Sequence, residues 1–221
     1  RSTLEADRRQ RQMCIRDRLI LEKSILKESP GIKLVLSSYA DSDENIGDMD
    51  MIVTATSGAG KKILDIMQVK PGCVITDVAR PLDLSAEDVE KRPDVLVIES
   101  GEISLPGDVR MKSIGFEDRS VVYACLAETI VLALEGRFEN FTLGRNLEWG
   151  KVHEIYKLGL KHGMQLAAIS GVNGVYSDAD IARVRRLALE ARKDWKPAGL
   201  SKKSAARRKK PRQRAAARKP A

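Results

Sequence analysis

The sequence predicts an α/β fold built on a Rossmann-like, doubly wound parallel sheet. Three short runs of β-branched and aliphatic residues carry this prediction, at residues 50–54, 73–77 and 94–99. None of the runs alternates with polar residues, which is typical of strands buried on both faces of a parallel sheet. The gaps between the runs have the length of helices or compact turns, and this alternation favours a doubly wound sheet.

Turn-forming residues divide the first half of the chain into these elements. Residues 19–27 have the pattern of a helix end, which the Pro-Gly pair at 30–31 terminates. A short helix or turn is predicted to begin at residues 63–67 and to stop before the Pro-Gly pair at 71–72. Each predicted strand then opens into small or polar residues, as a strand entering a βα turn does.

The second half of the chain is predicted to be helical. One helix is expected over residues 119–134 and a second over residues 149–161, and a glycine follows each of them closely. Residues 177–180 have the form of a capping box, which predicts the start of an amphipathic helix that continues to about residue 193. The sequence therefore predicts a sheet first and a group of C-terminal helices after it.

The positive charge of the chain lies at its two ends. The formal net charge is +8, but residues 201–221 contain ten Lys and Arg and no acid, and residues 1–18 contain six against three acids. The remaining residues 19–200 hold 23 basic and 28 acidic side chains, a net charge of −5. We therefore expect no specific nucleic-acid partner for the folded part, and a disordered tail.

The three cysteines, Cys14, Cys73 and Cys125, lie far apart, with neither a C-x-x-C motif nor a histidine cluster near them. This pattern argues against a disulfide framework and against a metal site, and it suits a reducing cytoplasm. The longest apolar run, residues 121–134, is too short to span a bilayer and contains Glu128. The sequence therefore predicts a cytoplasmic protein without a transmembrane segment.

Residues 123–146 carry the most specific pattern of the chain. They contain Cys-Leu-Ala-Glu, an apolar helix that ends in Glu-Gly, and then Asn-Phe and Gly-Arg-Asn. This block resembles the C-terminal segment of the long-chain acyl-acyl-carrier-protein reductases, which form fatty aldehydes. The resemblance extends over residues 19–170 and implies a dinucleotide-binding domain that lacks its N-terminal strands. It also implies NADPH as the cofactor, with NADH possible, and an acyl carrier protein or acyl-CoA as the substrate carrier.

With this resemblance, the chain divides into four predicted segments. Residues 1–18 look like a non-native, adapter-derived stretch and are set aside. Residues 19–136 are expected to form a partial NAD(P)-binding Rossmann domain, and residues 137–196 a C-terminal helical segment. Residues 197–221 make up the disordered basic tail.

The resemblance implies that Cys125 is a catalytic nucleophile that carries the acyl group. Without the resemblance, Cys125 is better explained as a buried structural thiol on an apolar helix face, and a redox role lacks a nearby partner. No general base can be named. His162 is better explained as a helix cap, and a carboxylate at Glu128 would disfavour a thiolate. Arg145 and Asn146 either hold a phosphate or cap a turn.

The cofactor is expected at the carboxyl ends of the predicted strands, where open parallel sheets bind ligands. Small residues there let backbone amides approach a ribose or a nicotinamide ring closely. No G-x-G-x-x-G motif follows any strand of this chain. The predicted cofactor-binding residues are Thr54, Ala55, Thr56, Ser57, Gly58, Asp77 and Gly101.

Three functions follow from these observations, in decreasing order of support. The first is an NADPH-dependent reductase of long-chain fatty acyl thioesters that forms an aldehyde through an acylated Cys125. The second is an NAD(P)-dependent dehydrogenase of a small polar, amino-acid-like substrate, which would not need Cys125. The third is a non-catalytic fragment whose basic tail binds polyanions.

Overall fold

The computed structural model describes nine stretches of the chain: residues 19–32, 34, 46–56, 63–109, 112, 116, 118, 120–144 and 147–196. The adapter-like segment and the basic tail predicted from the sequence lie outside these residues, as do Ser57, Gly58, Arg145 and Asn146. The chain divides into two compact units, residues 1–45 and residues 46–221. In the first unit, residues 19–28 form a helix, α1, as the sequence predicts.

The second unit is a mixed α/β structure with two small sheets. Its strands are β1 (Met51–Thr54), β2 (Val74–Asp77), β3 (Leu96–Glu99), β4 (Glu102–Ser104), β5 (Val121–Tyr123), β6 (Gln165–Leu166), β7 (Ser170–Gly171) and β8 (Gly174–Val175). Its helices are α2 (Ala86–Glu90), α3 (Ala124–Leu134), α4 (Trp149–Lys161) and α5 (Asp178–Ala191), with a 3-10 turn at Ile66–Gln68. A mixed α/β fold that contains parallel strands is therefore confirmed.

The first sheet has the strand order β1-β2-β3-β7-β8. Strands β1, β2 and β3 are parallel, and their register places Thr54 beside Asp77 and Asp77 beside Glu99. The carboxyl ends of these strands therefore meet at one edge, as expected for apolar strands of this kind. Strand β7 pairs with β3 in the antiparallel sense and forms a hairpin with β8, so the described sheet is mixed.

A core of aliphatic residues holds this sheet to the segments that connect its strands. Its members come from the strands, the 3-10 turn and α2, and among the most deeply buried are Ile66, Val69, Cys73, Ile75 and Val97. The turn begins at Asp65, whose side chain accepts a hydrogen bond from the backbone N–H of Met67. The predicted short helix or turn at this place is confirmed as a single 3-10 turn.

The second sheet corrects the predicted helix over residues 119–134. Residues Val121–Tyr123 form strand β5 and pair with β4, so α3 begins only at Ala124. Two β-branched valines lead this segment, and such residues favour a strand wherever a partner strand is available. Cys125 is consequently the second residue of its helix and lies in the first turn, not deep within the helix.

Helices α3 and α4 pack together over the second sheet. A second core is formed by buried residues from β5, α3, the position just after β4 and the loop before β6: Leu105, Val122, Ala127, Val131 and Met164. Strand β6 completes this sheet by pairing with β4 in the antiparallel sense. The observed bounds of α4, Trp149–Lys161, agree with the predicted helix.

Helix α5 begins with the capping box that the sequence predicts. Ser177 accepts a hydrogen bond from the Asp180 N–H, and the Asp180 side chain accepts one from the Ser177 N–H. At its other end, Nε of Arg192 donates a hydrogen bond of 2.7 Å to the carbonyl oxygen of Pro71. The helix therefore closes against the turn that precedes β2. No helix of the described residues is long and apolar enough to cross a membrane.

Candidate functional site

A pocket of about 460 Å³ lies between the second sheet and the helix pair α3 and α4. We call it the Cys125 pocket. Its wall is largely apolar and includes Ile103, Val131, Ile155, Leu160, Met164 and Leu166. Five lining residues carry a polar group: Cys125, Glu128, Thr142, Tyr156 and Gln165. The pocket therefore has an apolar body with few polar groups, which is the usual make-up of a small-molecule site.

Cys125 lies in this pocket as an exposed thiol. The alternative of a buried structural thiol, which the sequence left open, is therefore wrong for Cys125. The first turn of a helix presents unpaired backbone N–H groups, which favour negative charge nearby. Cys73 is the contrasting case, because burial raises the pKa of its thiol to about 11 and the side chain has no access to solvent. Cys125 is thus the accessible one of these two thiols.

Glu128 lies one turn after Cys125 and is the only charged side chain among the described residues that line the pocket. Its carboxylate accepts a hydrogen bond of 3.2 Å from the backbone N–H of Thr142 and a second one from the Thr142 hydroxyl group. Both residues also line a neighbouring depression on the other side of α3. The Glu128–Thr142 pair therefore stands between the two cavities.

Neither histidine lines the pocket. His162 caps α4 and its Nε2 lies 2.5 Å from the carboxylate of Glu135, which also accepts a hydrogen bond from Lys161. The Lys161 and His162 hydrogen bonds together hold the pKa of Glu135 below its usual value. His153 is exposed and its ring lies 6.2 Å from that of Trp149. His162 thus lies at the helix end, as the sequence suggests, and His153 lies on the outer surface.

The structure describes five of the seven predicted cofactor-binding residues. Thr54 is buried, and its hydroxyl oxygen finds no hydrogen-bond partner among the described atoms. Ala55 is exposed, and the Thr56 hydroxyl donates a hydrogen bond of 2.5 Å to Asp83. Gly101 adopts a φ of +86° just before β4, in a conformation that favours glycine. Ser57 and Gly58 lie outside the described residues.

Asp77 has a defined structural task at the end of β2. Its carboxylate accepts hydrogen bonds from three backbone N–H groups, those of Ala79, Asp83 and Leu84, at 3.0, 2.8 and 3.1 Å. The side chain is 1% exposed. Asp77 therefore fixes the loop that follows its own strand.

Arg80, which no sequence pattern identifies as a site residue, joins the strand ends to the second sheet. Its guanidinium group lies 3.7 Å from Glu99 and 3.6 Å from Glu102, and it stacks 5.3 Å from the centre of the Tyr123 ring. Burial raises the pKa of Glu99, and the Arg80 charge offsets part of that rise. These residues are close only because β3, β4 and β5 converge, so no pattern within a short stretch of sequence predicts the cluster.

The pocket residues of α4 carry a signal that the sequence analysis did not use. Val152, Ile155, Tyr156, Gly159 and Leu160 recur at intervals of three and four residues and line the pocket together. Such spacing identifies one face of a helix. Thr142 and Gln165 carry no comparable signal, because they belong to loop and edge-strand positions whose neighbours are distant in sequence.

Comparison with known proteins relates this chain to part of a longer protein. No family model matches the chain. Aminotransferase PigE of Serratia sp. (strain ATCC 39006) is 40% identical over 115 residues, which is 51% of this chain and 13% of that protein. The chain thus spans only a small part of the length of the curated relative that it matches.

This match corrects the reaction expected from the sequence. The relative is named for amino transfer, so the resemblance to acyl-acyl-carrier-protein reductases and the predicted reduction of fatty acyl thioesters are wrong. The alternative of an amino-acid-like dehydrogenase finds no support either. Amino transfer moves an amino group and not a hydride, so NADPH is likewise corrected as the expected cofactor. The chain is similar to a segment of an enzyme named as an aminotransferase.

Proposed function

We propose that this chain is a substrate-binding module of an enzyme that transfers amino groups. In this proposal the Cys125 pocket holds the apolar body of a carbonyl substrate. The observation that carries the proposal is a pocket with an apolar wall and a few polar groups, within a chain that is 40% identical over 115 residues to part of an aminotransferase. The whole enzyme would then act on its substrate through more than the residues described here.

The dimensions and lining of the pocket support this proposal. Its volume of about 460 Å³ falls within the range of roughly 300–1,000 Å³ that is usual for small-molecule sites. Burial of an alkyl chain against such a wall contributes about 0.8 kcal/mol for each CH₂ group. The amide group of Gln165 lies in the lining and supplies N–H donors for a carbonyl oxygen. We propose that Cys125, at the same wall, contacts the bound substrate.

The described residues do not fit pyridoxal phosphate, the cofactor that amino transfer suggests. That cofactor is held as a Schiff base on a lysine, with an Asp or Arg at its pyridinium nitrogen. No lysine is among the described residues that line the Cys125 pocket. Lys70, Lys91 and Lys161 form ion pairs with carboxylates, and Lys151 lies over the Phe141 ring. We therefore assign this module to substrate binding and the cofactor to another part of the enzyme.

We also infer that the first sheet is part of a doubly wound, Rossmann-like sheet. Three parallel strands that neighbour one another in chain order support this inference, as does helix α2 between β2 and β3. In the described residues β1 is an edge strand, and Met51 and Val53 on one of its faces are 65% and 61% exposed. Apolar side chains at such an edge favour a further element packed beside them.

Binding of octan-2-one tests the proposed function. A variant that fills the Cys125 pocket shows whether the ligand binds there. A Cβ atom added at Gly159 meets no atom within 4 Å, and Gly159 lines the pocket, so Gly159→Phe can carry a ring toward the pocket without a clash at its Cβ atom. Gly150 lies in the same helix with the same free space but outside the lining, so Gly150→Phe is the matched control. We expect calorimetric titration to show binding to the wild-type chain and to Gly150→Phe, and loss of binding in Gly159→Phe.

Two results would contradict the proposal. Absence of octan-2-one binding, or equal binding by the two phenylalanine variants, would show that the pocket is not a substrate site. Conversion of octan-2-one to its amine by the isolated chain with pyridoxal phosphate and an amino donor makes the chain itself the catalytic domain. To check whether the chain itself holds the cofactor, we would mix it with pyridoxal phosphate, reduce any lysine Schiff base with borohydride and map the peptides. We expect no specific pyridoxyl-lysine.

A further inference from the structure

The charge distribution of the Cys125 pocket selects among the ligands that its apolar wall accepts. Glu128 is the only charged side chain among the described lining residues. Arg137 lines the neighbouring depression on the other side of α3 and is already paired with Glu139 and Glu154, at 2.7 and 2.6 Å. Within the described residues, no ion pair is formed by Glu128. The pocket thus presents one negative charge in apolar surroundings.

The hydrogen bonds of Glu128 leave room for a ligand. An ionised carboxylate offers about four acceptor positions on its two oxygens. Thr142 occupies two of them, one with its backbone N–H and one with its hydroxyl group. These two bonds also fix the orientation of the carboxylate, so that little freedom remains to be lost when a ligand binds. A positively charged hydrogen-bond donor fits the acceptor positions of Glu128 that Thr142 leaves free.

We propose that the Cys125 pocket binds a primary amine with an apolar body, and that its ammonium group pairs with Glu128. This inference rests on the proposed function and names the form of the substrate that the pocket favours. An alkylamine is protonated at neutral pH, as the lysine side chain is with its pKa of about 10.4. Charge-assisted hydrogen bonds to a carboxylate are stronger than neutral ones.

Amino transfer gives this preference a chemical meaning. The reaction interconverts a carbonyl compound and an amine that share one carbon skeleton, so a substrate-binding pocket meets both. The alkyl body is common to the two forms and packs against the same wall. Only the amine gains the ion pair with Glu128, so the pocket holds the amine form more tightly than the carbonyl form.

The test compares octan-2-amine with octan-2-one on the full chain by calorimetric titration at neutral pH. We expect the wild-type chain to bind the amine at least about tenfold more tightly than the ketone, since a hydrogen bond to a charged group contributes this much. Glu128→Gln should abolish the difference, because the amide carries no charge to pair with the ammonium group. Glu90→Gln removes the same charge at an exposed residue of α2 outside the lining, and should keep the preference.

Each outcome decides between the two proposals. Ketone binding without a preference for the amine overturns this inference and leaves the proposed function standing. Failure of both ligands to bind overturns both proposals, and an amine preference that persists in Glu128→Gln overturns this inference alone. If Glu128→Gln does not fold, N-(octan-2-yl)acetamide replaces it as the probe. This amide keeps an N–H donor but lacks the charge, and binding as tight as that of the amine contradicts the ion pair.

Discussion

The carboxylate of Glu128 and the hydroxyl group of Thr142 form a hydrogen bond that joins α3 to the loop before α4. The two residues are 14 positions apart in the chain, and the backbone N–H of Thr142 adds a second bond to the same carboxylate. This pair closes the wall between the Cys125 pocket and the neighbouring depression. It connects the stability of the helix pair to the shape of the proposed binding site.

Substitution of Thr142 by valine is expected to weaken this wall. Valine has nearly the same shape but lacks the hydroxyl donor, so Glu128 loses one of its two hydrogen bonds. We expect the free energy of unfolding, measured by urea denaturation, to fall by about 1 kcal/mol. Thr129→Val is the control, because Thr129 is exposed and, among the described residues, its hydroxyl bonds only to the Cys125 carbonyl within α3. Equal losses in the two variants would contradict the role given to Thr142.

Cys125 and Cys73 are expected to react with iodoacetamide at very different rates. Cys125 is exposed, whereas Cys73 is inaccessible and burial raises the pKa of its thiol to about 11. Since the thiolate is the reactive form, Cys73 should stay unmodified at neutral pH while Cys125 is alkylated. Peptide mapping by mass spectrometry of the native protein measures each site separately. Octan-2-one should slow the modification of Cys125, and comparable labelling of Cys73 would refute the burial argument.

The buried ion pair of Arg92 and Asp94 is expected to make the free energy of unfolding depend on pH in the acidic range. Arg92 donates two hydrogen bonds of 2.8 Å to Asp94, and although burial alone would raise the pKa of Asp94, the Arg92 hydrogen bond and charge lower it overall. A carboxyl group with a lowered pKa stabilises the fold above its unfolded-state pKa of about 3.9. That contribution disappears as the pH falls through the lower pKa of the folded state.

Asp94→Asn tests this pair. We expect it to lower the free energy of unfolding at neutral pH by about 3 kcal/mol, because Arg92 stays buried without its counter-charge. The decline of stability below pH about 4 should then be smaller than in the wild-type chain. Asp48→Asn, a change at an exposed carboxylate, serves as the control. An unchanged acid profile in Asp94→Asn would show that other carboxyl groups control the acid response.

Asp77→Asn is expected to loosen the loop after β2. Asparagine keeps a single acceptor oxygen, so its N–H₂ group must face either the Ala79 N–H or the N–H groups of Asp83 and Leu84, all of which Asp77 now satisfies. Leaving a buried donor without an acceptor costs about 1–3 kcal/mol. Hydrogen exchange should accelerate at the amides of Ala79, Asp83 and Leu84 before it does in the strands. Unchanged protection of these amides would mean that the carboxylate does not hold the loop.

Gly72 is expected to matter for the docking of α5. Its φ is +77°, and a Cβ atom there would lie 3.1 Å from the Cβ of Ala188 and from the Arg192 side chain. Gly136 has a similar φ of +67° with open space around it, so Gly136→Ala reports the backbone strain alone, about 1 kcal/mol. We expect Gly72→Ala to cost about 1 kcal/mol more than Gly136→Ala in thermal unfolding. Equal losses of stability in the two variants would show that α5 can move away from residue 72 without further loss of stability.

Much of the local structure could be predicted from the sequence. The three parallel strands are readable because each is a short uninterrupted apolar run that ends in turn residues, although Met51 and Val53 leave one face of β1 exposed among the described residues. Trp149 and Lys161 bound α4 as predicted, and the capping box of Ser177 and Asp180 marks the start of α5. These signals lie within a few residues of the elements that they specify. The predicted reaction and cofactor, in contrast, were wrong, because they came from a resemblance and not from the chemistry of a site.

The sequence by itself determined where apolar runs and caps occur, because periodicity and capping are local properties of the chain. Only the tertiary structure decided that Val121–Tyr123 is a strand, since β4 supplies the partner that a lone apolar segment lacks. It likewise decided that Glu128 meets Thr142 and that Arg80 meets Glu99 and Glu102. Pairing between distant segments depends on how all the elements pack at once, so no short stretch of sequence contains it.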